Sequence, residues 1–597
     1  MRQFFKFFFA SLLAMVVAIM IFFIVVFGVI GSLKTSLSNS FNVEEKVYTQ
    51  SQSILSIDLT ESISEIGHKN SIAMFTGGSS NVPSLYEIIS AIKHAKTDSK
   101  IQGILIKTGG WSNGSAIAEQ LREAIIDFKD SDKFVYTYGD YITQNDYYII
   151  TAADEIYVNP LGGLELKGLA SQLMFFKGTL DKLGVAPEIF YAGQFKSATE
   201  PFRLKKMSDP NRTQLAAMQA IIWDQYLTAF SEFSQLDKTT LHDYAVSGEI
   251  QTAHDAVSAS LITGVYYKDE MEDVLRKKVG LKKDDDVRSI GIADYAKSVS
   301  KKQKSDRIAV LFAEGTIVDG EGNGQDQIAD IAFTKEIRKI KADKNIKGLV
   351  IRINSGGGSA LASEKMLREI QMLQETGMPV VVSMGNVAAS GGYYMASSAD
   401  SIFAQQSTIT GSIGVFGMMF NISNLLEDKL GITFDVEKNA PHADLPSMSR
   451  NMSDREKQMI QNSVDTIYHI FKDRVATGRN MTMEYVDSVG QGRVWMGTTA
   501  LELGLVDALG GTQRAIESAA SLAKIDDYSV AIFPQKDDKL DQFLKGLSGG
   551  SIEQQIMKEN LIARELGVDY KWFKFLRNLQ LHRNTVLTMM PYEIYFE

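Results

Sequence analysis

A serine among small residues, Ala388-Ala389-Ser390-Gly391-Gly392-Tyr393, follows a very apolar stretch at 379–383 and runs into a stretch that reads as a helix, 393–398. A serine at a strand-to-helix turn has an exposed hydroxyl. The next amide, Gly391, and the helix N-terminus point at whatever that hydroxyl attacks. Ser390 is therefore a candidate nucleophile, which needs a base and an oxyanion hole.

The base comes from an internal repeat. Ile101-Gln102-Gly103-Ile104-Leu105-Ile106-Lys107 returns as Ile346-Lys347-Gly348-Leu349-Val350-Ile351-Arg352. Ala152-Ala153-Asp154-Glu155-Ile156 returns as Ser398-Ala399-Asp400-Ser401-Ile402, and Asp181-Lys182-Leu183-Gly184 as Asp428-Lys429-Leu430-Gly431. The offset stays between 245 and 247 residues, so the chain holds two tandem copies of one domain. Ser390 corresponds to Gln144, and both following glycines are missing from the first copy. Downstream the loss is reversed: Lys196, in Ala192-Gly193-Gln194-Phe195-Lys196-Ser197-Ala198-Thr199-Glu200-Pro201-Phe202, corresponds to Ala443. Serine kept in one copy and lysine in the other points to one site shared between halves. Drift of two surface loops is the competing reading.

A lysine can serve as base only when neutral. Its ordinary pKa of about 10.4 leaves roughly one amine in a few thousand neutral at pH 7, and desolvation lowers that pKa by about 3 to 5 units. Phe195, Ala198, Pro201 and Phe202 are the expected apolar walls, and Glu200 is expected to point away. The seven histidines, at 68, 94, 242, 254, 442, 469 and 582, sit in no recognisable triad motif. The second copy also carries Asn354-Ser355-Gly356-Gly357-Gly358-Ser359 after an apolar strand, where the first has the less open Thr108-Gly109-Gly110-Trp111. Glycines there let backbone amides approach a substrate. The spacing matches neither a Walker loop nor a dinucleotide fingerprint.

With Thr410-Gly411-Ser412-Ile413-Gly414-Val415, Gly492-Arg493-Val494-Trp495 and Gly504-Leu505-Val506-Asp507 added, the chain from about 50 to 525 resembles the long form of the signal peptide peptidase A family, the protease IV type of peptidase family S49. The resemblance implies a ClpP/crotonase-like fold and a Ser/Lys dyad that cleaves remnant signal peptides. It makes Ser390 the nucleophile, Lys196 the general base, Gly358 and Gly391 the oxyanion hole, and Ser412 the group that holds the lysine amine. It also implies a homotetramer. Gly356 departs from the proline usual in the family; this loosens the turn without removing a donor. A Ser/Lys hydrolase needs neither cofactor nor metal. The alternatives are a crotonase-like acyl-CoA enzyme and a catalytically inactive membrane scaffold of the same fold.

The elements that must position these residues alternate short Val/Ile/Leu strands with amphipathic helices such as 363–375, which predicts an α/β fold of largely parallel sheets covered by helices. Asp209-Pro210 opens a long helix whose apolar residues, Met218 to Phe230, read as core or as a subunit contact. Before the copies, 7–31 carries no charged residue and is long enough to span a bilayer; Arg2 and Lys6 place residues 1–6 in the cytoplasm and the body outside it. The expected organisation is a tether at 32–50, an N-terminal repeat at 51–280, a linker at 281–304, a C-terminal repeat at 305–525 and an extension at 526–597 whose 552–581 reads as helix. That organisation puts the body on the extracytoplasmic side of the inner membrane, where discarded apolar peptides are found. A net charge of −10 with no long basic tract argues against nucleic acid, and the absence of cysteine excludes disulfides and thiolate chemistry.

Overall fold

The computed structural model of the chain describes residues 49–69, 81–299, 304–322, 326–534 and 587–589. Residues 7–31 and 552–581 lie outside the described residues. Among the described residues no helix is long and apolar enough to cross a membrane.

The two copies fold alike. In the first, parallel strands Ser53–Asp58, Ile101–Lys107, Phe134–Gly139 and Glu155–Val158 lie side by side. In the second, Arg307–Glu314, Ile346–Ser355, Val380–Ala389 and Ser401–Ala404 repeat that order, again parallel. Parallel neighbours need crossovers, and helices supply them: Leu85–Thr97 and Ser115–Lys129 in one copy, Asp330–Ala342 and Ala360–Gln374 in the other. Strands covered on both faces must be apolar throughout. Ile351 and Ile353 of Ile346–Ser355 and Val380, Val381 and Val382 of Val380–Ala389 accordingly have no exposed surface.

Two boundaries differ from the sequence expectation. Part of the expected linker belongs to the first copy. Ser289–Gly291 pairs with the strand Ser53–Asp58, and the following helix, Ile292–Ser298, buries Tyr295 in the first core. A short, mostly exposed edge strand carries too little apolar patterning to be read from sequence. The second sheet likewise runs past 525, because Ser529–Phe533 pairs in parallel with Arg307–Leu311. In the helix Asp209–Ser234, Met218, Ile222, Tyr226, Leu227 and Phe230 are buried in the first core.

A third sheet takes strands from both copies. Its order is Gln327–Ala329, Thr316–Val318, Gly357–Ser359, Leu587–Met589, Val415–Asn421 and Ala186–Ala192, the last from the first copy. Polar locks also hold the copies together elsewhere. Glu65 meets Arg352 with both side chains buried, and Arg352 also donates to Ser383 Oγ (2.9 Å). Glu119 accepts from the Gln406 amide (2.9 Å) and from the Ser407 hydroxyl (2.8 Å). Asn386, four positions before Ser390, caps the helix Ser115–Lys129: its Oδ1 accepts from Ala116 N (3.1 Å) and Ile117 N (3.2 Å), and its Nδ2 donates to Asn113 O (2.8 Å). Gly114 makes room, since a Cβ there would fall 2.4 Å from Asn386 Nδ2.

Because Asn386 satisfies two helix-end amides across the seam, Asn386→Ala leaves them unpaired. The expected cost is about 1–2 kcal/mol of stability, read as a lower melting temperature in calorimetry.

Candidate active site

The strand Val380–Ala389 forks. Its first half pairs with Ser401–Ala404 and its last three residues with Ile409–Gly411. Ser390 sits at the tip, tied by its amide to Gly411 O (2.8 Å), and the helix Gly391–Ala396 starts immediately after it. Its backbone has φ +55°, a left-handed conformation uncommon for a residue with a side chain. The turn is thus a sharp elbow although Gly-x-Ser-x-Gly is absent. The Gly391 amide stands at the first helical position beside the hydroxyl.

Lys196 follows the strand Ala186–Ala192, which pairs antiparallel with Val415–Asn421 of the second copy and so carries the lysine across the seam. The loop is clamped: Phe195 N donates to Gln491 O (2.9 Å), and a Cβ on Gly492 would lie 2.7 Å from Lys196 Cβ. Lys196 is 1% exposed. Its Nζ lies 2.8 Å from Ser390 Oγ, 3.0 Å from Ser412 Oγ and 3.1 Å from Ser412 O. Among the described residues no carboxylate pairs with it, and burial alone drives its pKa well below the ordinary amine value. Ser412, also left-handed at φ +52°, is held by its amide on Arg493 O (2.7 Å).

The expected walls are present in part. Ala198 and Phe202 are buried against Phe416. Phe195 instead stacks on Arg493, whose guanidinium lies 5.0 Å from the Phe195 ring and 4.0 Å from that of Trp495. Glu200 turns away, accepting from Ser208 and Asn211.

The glycine turn is shaped by Ser355, which donates to Gly315 O (2.6 Å) and accepts from Gly357 N (3.1 Å). Gly357 has φ +100°, and a Cβ on Gly358 would lie 2.0 Å from Ile317 O, so both positions require glycine. Gly356 is not left-handed, so the departure from proline there asks nothing special of the backbone. The matching place in the first copy is closed. Gln144 is buried and donates to Gly168 O (2.6 Å), Trp111 is buried, and Asp146 accepts from Gly110 N (3.0 Å). Sequence reasoning missed the close approach of Gly492, the Gln491 clamp and the Asn386 lock. Each depends on a contact across the seam, and the two glycines in 490–493 were the one local signal.

A serine hydroxyl bonded to a buried, desolvated amine, beside helix-start and glycine-turn amides, is a constellation for nucleophilic attack on a carbonyl. Among the described residues no group of His, Asp and Glu could hold a metal.

The family model for peptidase family S49 matches twice, at residues 127–282 and 372–526. The chain is 34% identical over 480 residues to Protease 4 of Salmonella typhi, covering 78% of this chain and 76% of that one. It is 32% identical over 494 residues to Protease 4 of Haemophilus influenzae, covering 80% of each. It is 33% identical over 454 residues to the chloroplastic serine protease SPPA of Arabidopsis thaliana, covering 74% of this chain and 66% of that one. A ClpP1 variant from Listeria monocytogenes superposes with a TM-score of 0.23 at 13% identity, over 35% of this chain and 94% of that one. The molecule is a serine protease with two tandem α/β repeats. It belongs to peptidase family S49, and its substrates are peptides.

Burial of Lys196 also sets a pH dependence. Its folded pKa lies below the unfolded one, so between the two the unfolded chain binds one more proton and stability rises with pH. Relative to Lys196→Met, the wild-type chain should gain about 1.4 kcal/mol per pH unit across the alkaline range below the ordinary amine pKa, measured by denaturant unfolding.

Proposed function

We propose that Ser390 and Lys196 form a catalytic dyad in an endopeptidase that is anchored in the cytoplasmic membrane by residues 7–31 and degrades cleaved signal peptides. The observation that carries the dyad is the 2.8 Å contact between Nζ and Oγ around an amine with no carboxylate partner among the described residues. With the amine neutral, the hydroxyl donates to its lone pair. Lys196 takes the proton as Oγ attacks the peptide carbonyl, and the amides of Gly391 and Gly358 receive the oxyanion. Each such donor contributes about 3 kcal/mol in the transition state. The ammonium then gives its proton to the departing amine. Water, deprotonated by the same lysine, releases the acyl group. Ser412 holds the amine on target throughout. An acyl-CoA enzyme or an inactive scaffold has no use for this buried pair.

The anchor rests on the uncharged run at 7–31 and its two preceding cations, which put the body outside the cytoplasm. Remnant signal peptides, apolar and membrane-delivered, suit that location.

The chain also self-associates, and its own repeat supplies the template. Ala186–Ala192 pairs with Val415–Asn421. The repeat equivalents of these strands, 433–439 and 169–175, form no ladder among the described residues. Phe434 and Val436 of the former, with Leu430 and Ile432 just before it, alternate along 430–436 and are 46–60% exposed. Adding 433–439 of one protomer to 169–175 of the next repeats the internal pairing head to tail, which closes into a ring if the rotation allows. The family resemblance implies four protomers.

Two experiments test these readings. A serine-reactive fluorophosphonate probe should label wild-type protein at Ser390 and label Ser390→Ala and Lys196→Ala at least 10³-fold more slowly; labelling of either variant at the wild-type rate refutes the dyad. Native mass spectrometry in detergent should show an oligomer that Phe434→Asp with Val436→Asp reduces to monomer. A monomeric wild-type protein refutes the pairing.

A further inference from the structure

The strand that carries Ser390 is interrupted just before it. Ile353 pairs with Met384 and Ser355 with Ala388, so Gly385, Asn386 and Val387 stand opposite Asn354 alone. Such a bulge bends its strand and takes an amide out of the ladder. Here the strand leaves Ser401–Ala404 for Ile409–Gly411, and its last residues are aimed at the serine elbow. Asn354 fills the bulge. Its Oδ1 accepts from Val387 N (3.2 Å), and Gly385 makes room, since a Cβ there would lie 2.9 Å from Asn354 Cβ. Its Nδ2 donates to Oε1 of Glu314 (3.2 Å), at the end of the neighbouring strand Arg307–Glu314. Its carbonyl accepts from Gly315 N (3.0 Å), and the glycine turn starts at the next residue. One residue thus ties together the strand leading to Ser390, the strand leading to Gly358 and their neighbour.

The bridge has a polarity. A backbone amide only donates and an ionised carboxylate only accepts, so a primary amide fits between them one way round. Glu314 also accepts from the backbone amide of Glu65 in the first copy. Burial, then the carboxylates of Glu65 and Asp326, push its pKa up to about 7, and Glu65 is itself paired with Arg352. The first copy, which has no nucleophile, lacks the bridge. It has Thr60 at the end of the matching strand and only Thr108 and Gly109 at the turn, so it holds neither the carboxylate nor the amide.

We propose that Asn354, oriented by Glu314, is a positioning residue for peptide hydrolysis: it sets the angle at which its partner strand delivers Ser390 against the Gly358 turn. The proposal rests on the reading of Ser390 as nucleophile. A reciprocal exchange tests it in the full-length chain, with an internally quenched Ala/Leu peptide as substrate. Asn354→Asp keeps an acceptor for Val387 but sets a carboxylate against Glu314. Glu314→Gln leaves an NH2 facing the amide of Asn354 or that of Glu65. The double variant matches donors to acceptors again with the polarity reversed, because the amide at 314 donates to the carboxylate at 354 and still accepts from Glu65. At about pH 8, kcat should fall on the order of 10²-fold in Asn354→Asp with KM within about twofold, and the double variant should recover to within about fivefold of wild type. Two facing carboxyls share a proton, so the deficit of Asn354→Asp relative to wild type should narrow as pH falls from about 9 to about 6, which a folding defect would not do. A double variant no faster than Asn354→Asp, or Asn354→Asp as fast as wild type across that range, overturns the proposal. Hydrolysis by Ser390→Ala at the wild-type rate refutes the nucleophile reading and the positioning role with it; an inactive Ser390→Ala without rescue in the double variant refutes the positioning role alone.

Discussion

Everything at the centre of this protein depends on keeping one ammonium group out of water. A lysine at the surface holds its proton at any physiological pH. Lys196 is buried with two serines and no carboxylate within ion-pair reach among the described residues. A single copy of the domain cannot arrange this, because the strand that carries the lysine leaves its own sheet. The second copy closes over it with Gly492, the only residue small enough for the approach, and with the Gln491 carbonyl. The seam between repeats is therefore where Lys196 meets Ser390, and the buried Glu65–Arg352 pair and the Asn386 cap brace the strands that meet there.

The meeting of Lys196 with Ser390 was legible in the sequence because duplication supplied an internal control. Gln144 against Ser390, and Ala443 against Lys196, showed two losses that make sense only together. The strand-helix alternation gave the class of fold for the same reason any parallel sheet does: strands covered on both faces are apolar throughout. What escaped was set by pairing across long distances. No local pattern announces that 186–192 will pair with 415–421 of the other copy, or that Asn386 will cap a helix some 270 residues earlier. The edge strand Ser289–Gly291 hid in a polar stretch because an edge needs only one buried face. Leu587–Met589 gave no periodicity at all, since what places it is its partner strands rather than its own composition.

Backbone conformation and chemistry are tied at the serine elbow. The strand ladder fixes Ala389, the Gly411 carbonyl fixes the Ser390 amide, and the helix begins at the next residue, so the left-handed φ has nowhere to relax. That over-determination is what allows a strained residue to persist at a functional position. The same rigidity fixes the Gly391 amide at the start of the helix, which is the preorganisation that the oxyanion role proposed for it requires.

The closed place in the first copy has a consequence for history. Restoring a hydroxyl at Gln144 would give a serine with no amine opposite, since Ala443 stands in the lysine's position. It would lack the glycine pair that follows Ser390, because Asn145 and Asp146 are there instead, and Asp146 is already committed to Gly110. Trp111 would still fill the turn. Several simultaneous changes separate the silent half from activity, and none is useful alone. If the proposed dyad is the site, the fusion works as a ratchet: each copy holds a different half, neither serves as an enzyme by itself, and selection on one is selection on both.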